Sequence, residues 1–292
     1  MVPISDIPQA QDVLIAGPTA SGKSGLALEI AERRGGVIVN ADALQVYSNW
    51  RVLTARPSLA DEARASHHLY GHVPPDVSYS VGAWLRDVAD VRASGERLII
   101  VGGTGLYFRA LTEGLAEIPE IPPAIRAEGN QLREADFTQM LEALDAPSRS
   151  LIDQSNPMRV QRAWEVLTAT GRGLQAWHDA TPPPLMPLDT VTALVLEAPK
   201  DWLTPRIALR FEQMIELGAL EEARQNQPMF DPDAPAHKAI GAPELMAYLR
   251  EDLTLEQAKE AATIATQQYA KRQRTWFRAR MGNWTPISAA DL

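Results

Sequence analysis

Between Val13 and Val101 three short apolar runs alternate with segments of helical spacing, and each run stops at a turn-forming or glycine-rich stretch. Val13-Leu14-Ile15-Ala16 ends at Gly17, Val37-Ile38-Val39 at Asn40-Ala41-Asp42, and Leu98-Ile99-Ile100-Val101 at Gly102-Gly103-Thr104-Gly105. Runs with no polar alternation read as strands buried on both faces, as in a parallel sheet covered by helices. Leu26-Ala27-Leu28-Glu29-Ile30-Ala31 supplies one such helix, and Ser80 is placed to cap another running from Val81 to Val91. In sheets of this kind ligands lie at the carboxyl ends of strands, where all three loops fall.

The pattern changes at Ile118-Pro119-Glu120-Ile121-Pro122-Pro123. From Ala124 to His178 it becomes one of short helices, one of them opening with Asn156 as N-cap and Pro157 at its first position, before a second break at Thr181-Pro182-Pro183-Pro184. Residues 118–186 therefore read as a helical insertion, and residues 1–117 and 187–292 as the two halves of one core. Val191-Thr192-Ala193-Leu194-Val195-Leu196 restores a strand after the insertion. A capping box, Thr254-Leu255-Glu256-Gln257, then starts a long helix. The expected fold class is α/β, a P-loop-type parallel sheet flanked by helices with a small all-helical inserted domain.

The chain has 292 residues, no cysteine and a formal charge of −9. Without cysteine there is no disulfide, thiolate metal site or Cys nucleophile, and the default compartment is the cytoplasm. Residues 1–11 carry no basic segment followed by an apolar one, and no stretch approaches the ~20 apolar residues of a membrane span. The negative total hides a local excess of the other sign. Ile264 to Trp284 holds Lys271, Arg272, Arg274, Arg278 and Arg280 with no acid, a face suited to nucleic acid.

Candidate chemistry begins at Gly17-Pro18-Thr19-Ala20-Ser21-Gly22-Lys23-Ser24, a G-x-x-x-x-G-K-[ST] phosphate loop in its required strand-loop-helix setting. Its backbone amides, the helix dipole and Lys23 suit a diphosphate, and Ser24 can ligate Mg²⁺. Kinases, NTPases and some transferases all use such a loop. Asp42, just past the second strand, can serve as a general base, support a Mg²⁺ ion from behind its direct ligands, or simply shape a turn. Gln45 has an amide able to pair bidentately with an adenine edge, and the Thr104 hydroxyl can donate to a phosphate or bridging oxygen. His67-His68 is a poor metal pair, since neighbours in a strand point to opposite faces. Trp276 and Trp284 could stack bases, but tryptophans of this kind more often belong to the core. Arg159 and Arg162, three apart on one helix, could join Arg126 on phosphates or face solvent.

Taken together, the chain resembles the tRNA dimethylallyltransferases, also called tRNA isopentenyltransferases. The carrying pieces are G-P-T-A-S-G-K-S at 17–24, D-A-L-Q-V-Y at 42–47, T-A-R-P at 54–57, G-G-T-G-L-Y at 102–107, N-P-M-R-V-Q-R-A at 156–163 and Y-A-K-R-Q-R-T-W-F-R at 269–278. The resemblance implies transfer of a dimethylallyl group from dimethylallyl diphosphate to N6 of the adenosine 3′ of a tRNA anticodon. Asp42 would be the base, Lys23 and the loop would hold the diphosphate with Mg²⁺ on Ser24, and Thr104 would assist at the bridging oxygen. The implied tRNA contacts are Asp42, Ala43, Leu44, Gln45, Thr104, Arg126, Met158, Arg159, Val160, Gln161, Arg162, Lys271, Arg272 and Arg278. No membrane and no obligate protein partner is implied.

The chain departs from the family pattern at Ala43, where Ser is usual, at Gly241-Ala242-Pro243-Glu244, where Gly-Tyr-Lys/Arg is common, and at Gln267, where Arg is frequent. The Asp often found after His-His-Leu is not matched by Gly71 or His72. Three rivals stay open: a prenyltransferase acting on free adenine nucleotide, a small-molecule P-loop kinase with Arg126 and Arg133 in a lid, and a nucleotide-gated RNA-binding switch.

Overall fold

The computed structural model describes residues 7–292, so residues 1–6 of the amino-terminal segment read above lie outside the described residues. Six parallel strands form one sheet: β1 (Val13–Ala16), β2 (Val37–Asn40), β3 (His67–His68), β4 (Leu98–Gly102), β5 (Thr192–Glu197) and β6 (Thr285–Ser288), in the order β3-β2-β4-β1-β5-β6. The helices are α1 (Lys23–Arg34), α2 (Leu59–Arg64), α3 (Val81–Arg92), α4 (Gly105–Glu113), α5 (Pro123–Ala143), α6 (Ala146–Leu151), α7 (Pro157–Thr170), α8 (Leu174–Asp179), α9 (Lys200–Glu216), α10 (Ala219–Asn226), α11 (Ala242–Leu249) and α12 (Leu255–Arg280). None of the described helices is long and apolar enough to cross a membrane.

Alternation along the strands sorts the core into two layers. Leu14, Val37, Val39, Leu98 and Ile100 face Trp84 and Val88 of α3, Phe108 of α4, and Phe277 and Met281 at the end of α12. Val13, Ile15, Ile38, Ile99 and Val101 face Leu26, Ala27, Ile30 and Ala31 of α1. The expected caps are present: the Ser80 hydroxyl accepts from Ala83 N–H, the Asn156 side chain from Met158 and Arg159 N–H, and Thr254 and Gln257 complete a capping box. Strand β6 has no forerunner in the pattern, because only Ile287 of its four residues is buried and Pro286 interrupts the run. At the sheet edge a proline is tolerated.

The chain divides into two compact units, residues 7–112 with 185–292, and residues 113–184. The first boundary falls earlier than the prolines at 118–123 suggest, since α4 buries Tyr107, Phe108, Ala110 and Leu111 and ends at Glu113. The helical unit packs α5 against α7 around Met140, Val160, Ala163, Trp164 and Val166. Helix α5 is kinked at Asp136, which leaves helical geometry and caps the following turn by accepting from Thr138 N–H at 2.9 Å.

Candidate active site

The phosphate loop leaves β1 at Gly17 and enters α1 through Gly22, whose φ of 88° is the left-handed conformation that glycine tolerates best. Lys23 turns back over the loop, its Nζ donating to Pro18 O at 3.3 Å. Ser24 is exposed on the first turn of α1, and no described hydrogen bond engages its hydroxyl.

The Asp42 turn is built around the buried Asn40 side chain. Its Oδ1 accepts from Asp42 N–H at 2.9 Å, while its Nδ2 donates to Asp42 O at 2.9 Å and to Leu69 O at 3.1 Å. Asp42 Oδ1 then accepts from Leu44 N–H at 2.9 Å, closing an Asx turn. This turn is stitched to the second glycine loop. Thr104 N–H donates to Ala41 O at 3.2 Å, and Ala43 N–H donates to Thr104 Oγ1 at 3.0 Å. Gly102 must be glycine, because a Cβ there would overlap the Ala41 carbonyl. The bond from Ala43 comes from its main chain, so the missing serine hydroxyl leaves it intact.

Lys23, Asp42, Gln45 and Thr19 line one cleft of about 720 Å³, open to solvent. Two of its residues, Arg210 of α9 and Tyr269 of α12, were not singled out from sequence. Arg210 shows no local motif; it is one cation on an amphipathic helix until packing brings it beside Asp42. Burial pushes the Lys23 ammonium down to about 8, Arg210 pushes in the same direction, and Asp42 opposes. Arg210 itself is lowered by burial and raised by Asp42. Burial first, and Asp42 second, push the Tyr269 phenol up, so it stays a neutral donor. Two cations against one carboxylate suit an anion.

Several expected contacts are corrected by the geometry. Both amide hydrogens of Gln45 are taken, by Thr54 O at 2.8 Å and Ala55 O at 3.0 Å, so bidentate pairing with adenine is closed and only Oε1 can accept. Val160 is fully buried in the helical core and Gln161 is 4% exposed, so neither side chain can meet an outside RNA. Gln161 instead donates to Asn130 and Glu165 and accepts from Arg133. Their neighbours do face out. Met158 is 60% exposed, Arg159 is exposed, and Arg126 and Arg162 lie 4.0 and 3.9 Å from the buried Glu165 carboxylate with their outer edges open. Lys271, Arg272 and Arg278 are exposed on α12, whereas Trp284 is core, edge-on to Phe108. Gln267 lines a separate groove between α9 and α12 with Lys200 and Lys271, so its departure from Arg is outside the Asp42 cleft.

Residues 45–280 match the family model for IPP transferase, and residues 11–70 match that for isopentenyl transferase. The tRNA dimethylallyltransferase of Dinoroseobacter shibae is 63% identical over 287 residues, covering 97% of each chain. The one from Ruegeria sp. (strain TM1040) is 61% identical over 288 residues, covering 99% of each. The crystal structure of the full-length tRNA isopentenylpyrophosphate transferase from Bacillus halodurans shares 29% identity at a TM-score of 0.65, covering 96% of this chain and 90% of that one. A parallel sheet with a phosphate loop, a carboxylate turn at the next strand end and near full-length identity to these relatives place the chain in the tRNA dimethylallyltransferase family.

Proposed function

We propose that this protein transfers a dimethylallyl group from dimethylallyl diphosphate to N6 of the adenosine 3′-adjacent to the anticodon of tRNA. The observation that carries the reading is one cleft in which the Asp42 carboxylate lies with Lys23 and Arg210, a base beside an anion cradle. The diphosphate sits against the loop amides and the two cations. As the carbon–oxygen bond breaks, its electron pair leaves with the diphosphate, and these fixed charges stabilise the group that gains negative charge. Thr104 accepts from Ala43 N–H, which leaves its own proton to donate to the bridging oxygen. The adenine N6 lone pair forms the new carbon–nitrogen bond, and Asp42 takes the proton released from that nitrogen.

Ser24 is the residue that would hold Mg²⁺. One hydroxyl beside diphosphate oxygens and water is a donor set this ion accepts, and the exposed Ser24 side chain on the first turn of α1 fits it. When bound, the ion offsets charge on the departing diphosphate. On the RNA side, Arg126, Met158, Arg159 and Arg162 of the helical unit and Lys271, Arg272 and Arg278 of α12 present the contact groups; the arginines and lysine meet phosphates. The test is transfer of label from dimethylallyl diphosphate to unmodified tRNA with Mg²⁺, beside AMP and an ATP-hydrolysis control. Label on tRNA alone is expected. Label on AMP would move the acceptor to free nucleotide, and ATP turnover without label would return the chain to the kinases.

A further inference from the structure

Gln273 sits among the cations of α12, between the exposed Arg272 and the half-buried Arg274, yet it is only 5% exposed. Its side chain points inward and spans two loops from neighbouring strands. Oε1 accepts from Thr19 N–H of the phosphate loop at 2.9 Å, and Nε2 donates to Gly103 O of the second glycine loop at 3.0 Å. A main-chain N–H only donates and a carbonyl only accepts, so a single amide orientation satisfies both. The second loop is moulded to the same helix. A Cβ on Gly103 would overlap the Gln273 amide nitrogen, and a Cβ on Gly105 would overlap the Trp276 ring, one turn further along α12. The glycines at 103 and 105 are thus seats for α12 side chains.

We propose that Gln273 is a positioning residue for the transfer reaction: its amide clamps the phosphate loop to the loop that carries Thr104. The clamp sets the separation between the diphosphate cradle and the hydroxyl that meets the bridging oxygen. Thr104 in turn receives Ala43 N–H, so the Asp42 turn is tied into the same frame. Chemistry that depends on a fixed donor–acceptor spacing loses rate when the frame loosens, and Gln273, although it lines the cleft, spends its amide on the two loops. The inference rests on the transferase reading above and assigns that site a part which no phosphate-loop motif contains.

The test compares Gln273→Met, close in length but unable to make both bonds, with Gly103→Ala, which displaces the amide. Both should lower kcat about 10–100-fold, with the KM for tRNA and the Kd for inorganic pyrophosphate within about threefold of the parent. In a Gln273→Ala background, Gly103→Ala should add less than about threefold, because the group it displaces is gone. Wild-type kcat in Gln273→Met would overturn the proposal. So would a raised KM for tRNA at unchanged kcat, which would make Gln273 an RNA contact. Amide hydrogen exchange covers the case in which the wild-type protein transfers nothing to tRNA, or a variant is too unstable for kinetics. Thr19 N–H exchanging about tenfold faster in Gln273→Met, relative to neighbouring amides of β1, supports the clamp; equal relative rates overturn it.

Discussion

The cleft of the α/β unit and the arginine face of the helical unit both gather positive charge, but they hold it differently. In the cleft Lys23 and Arg210 are drawn in beside Asp42, and burial costs Lys23 part of its proton affinity. In the helical unit Arg126 and Arg162 flank one buried carboxylate, Glu165, and keep their outer edges in water. Half-buried charges act more strongly on a reacting group than exposed ones, since fewer water dipoles compete with them. Exposed charges meet phosphates and are screened by salt. On the proposed function, chemistry belongs to the cleft, and RNA grip to the exposed cations of the helical unit together with those of α12.

The largest expected effect lies in the cleft. Asp42→Asn should lower kcat by about 10²–10⁴-fold, the usual cost of losing a general base, with tRNA affinity within about twofold of wild type in a filter-binding assay. A smaller loss follows from Lys23→Met, which removes a charge-assisted hydrogen bond of about 1.5–3 kcal/mol and should weaken pyrophosphate binding about 10–150-fold by calorimetry. The same lysine gives a pH signature. A lysine is cationic below its pKa, so with the free group at about 8 the cation is present at pH 7 and fades as pH rises through 8. Pyrophosphate affinity should fall with pH about tenfold more between pH 7 and 9 in wild type than in Lys23→Arg, since the ligand's own titration is common to both.

Effects in the helical unit are gentler. Replacing Arg126 and Arg162 together by Ala should weaken tRNA binding and reduce its salt slope by about 1 for each phosphate that is no longer neutralised. An unchanged slope would remove that face from the RNA. Val160→Ala sharpens the contrast from the other side. It should destabilise the helical unit by about 1–3 kcal/mol in a denaturant melt while leaving the salt slope alone, because Val160 packs in the core.

Much of this was legible in the chain, for reasons that differ by residue. The strands β1, β2 and β4 announce themselves because central parallel strands are apolar on both faces. The phosphate loop and Asp42 follow from local spacing at strand ends. Arg210 and Gln273 could not be read that way, since each acquires its role only when α9 and α12 fold back over loops far away in sequence. The errors at Val160 and Gln161 have another origin. The motif at 156–163 is contiguous in sequence, whereas helical period puts Met158, Arg159 and Arg162 on an outer face and Val160, Ala163 and Trp164 on an inner one. The bidentate reading of Gln45 fails because the carbonyls of Thr54 and Ala55 that occupy its amide are visible only in three dimensions.

The division of labour is tested most directly by single-turnover transfer at saturating tRNA, comparing Asp42→Asn with the Arg126→Ala/Arg162→Ala pair. The account predicts that the arginine variant recovers the wild-type rate once tRNA is saturating, while Asp42→Asn remains slow at any concentration. An arginine variant that stays slow at saturation would contradict it, and would put those arginines in the chemical step.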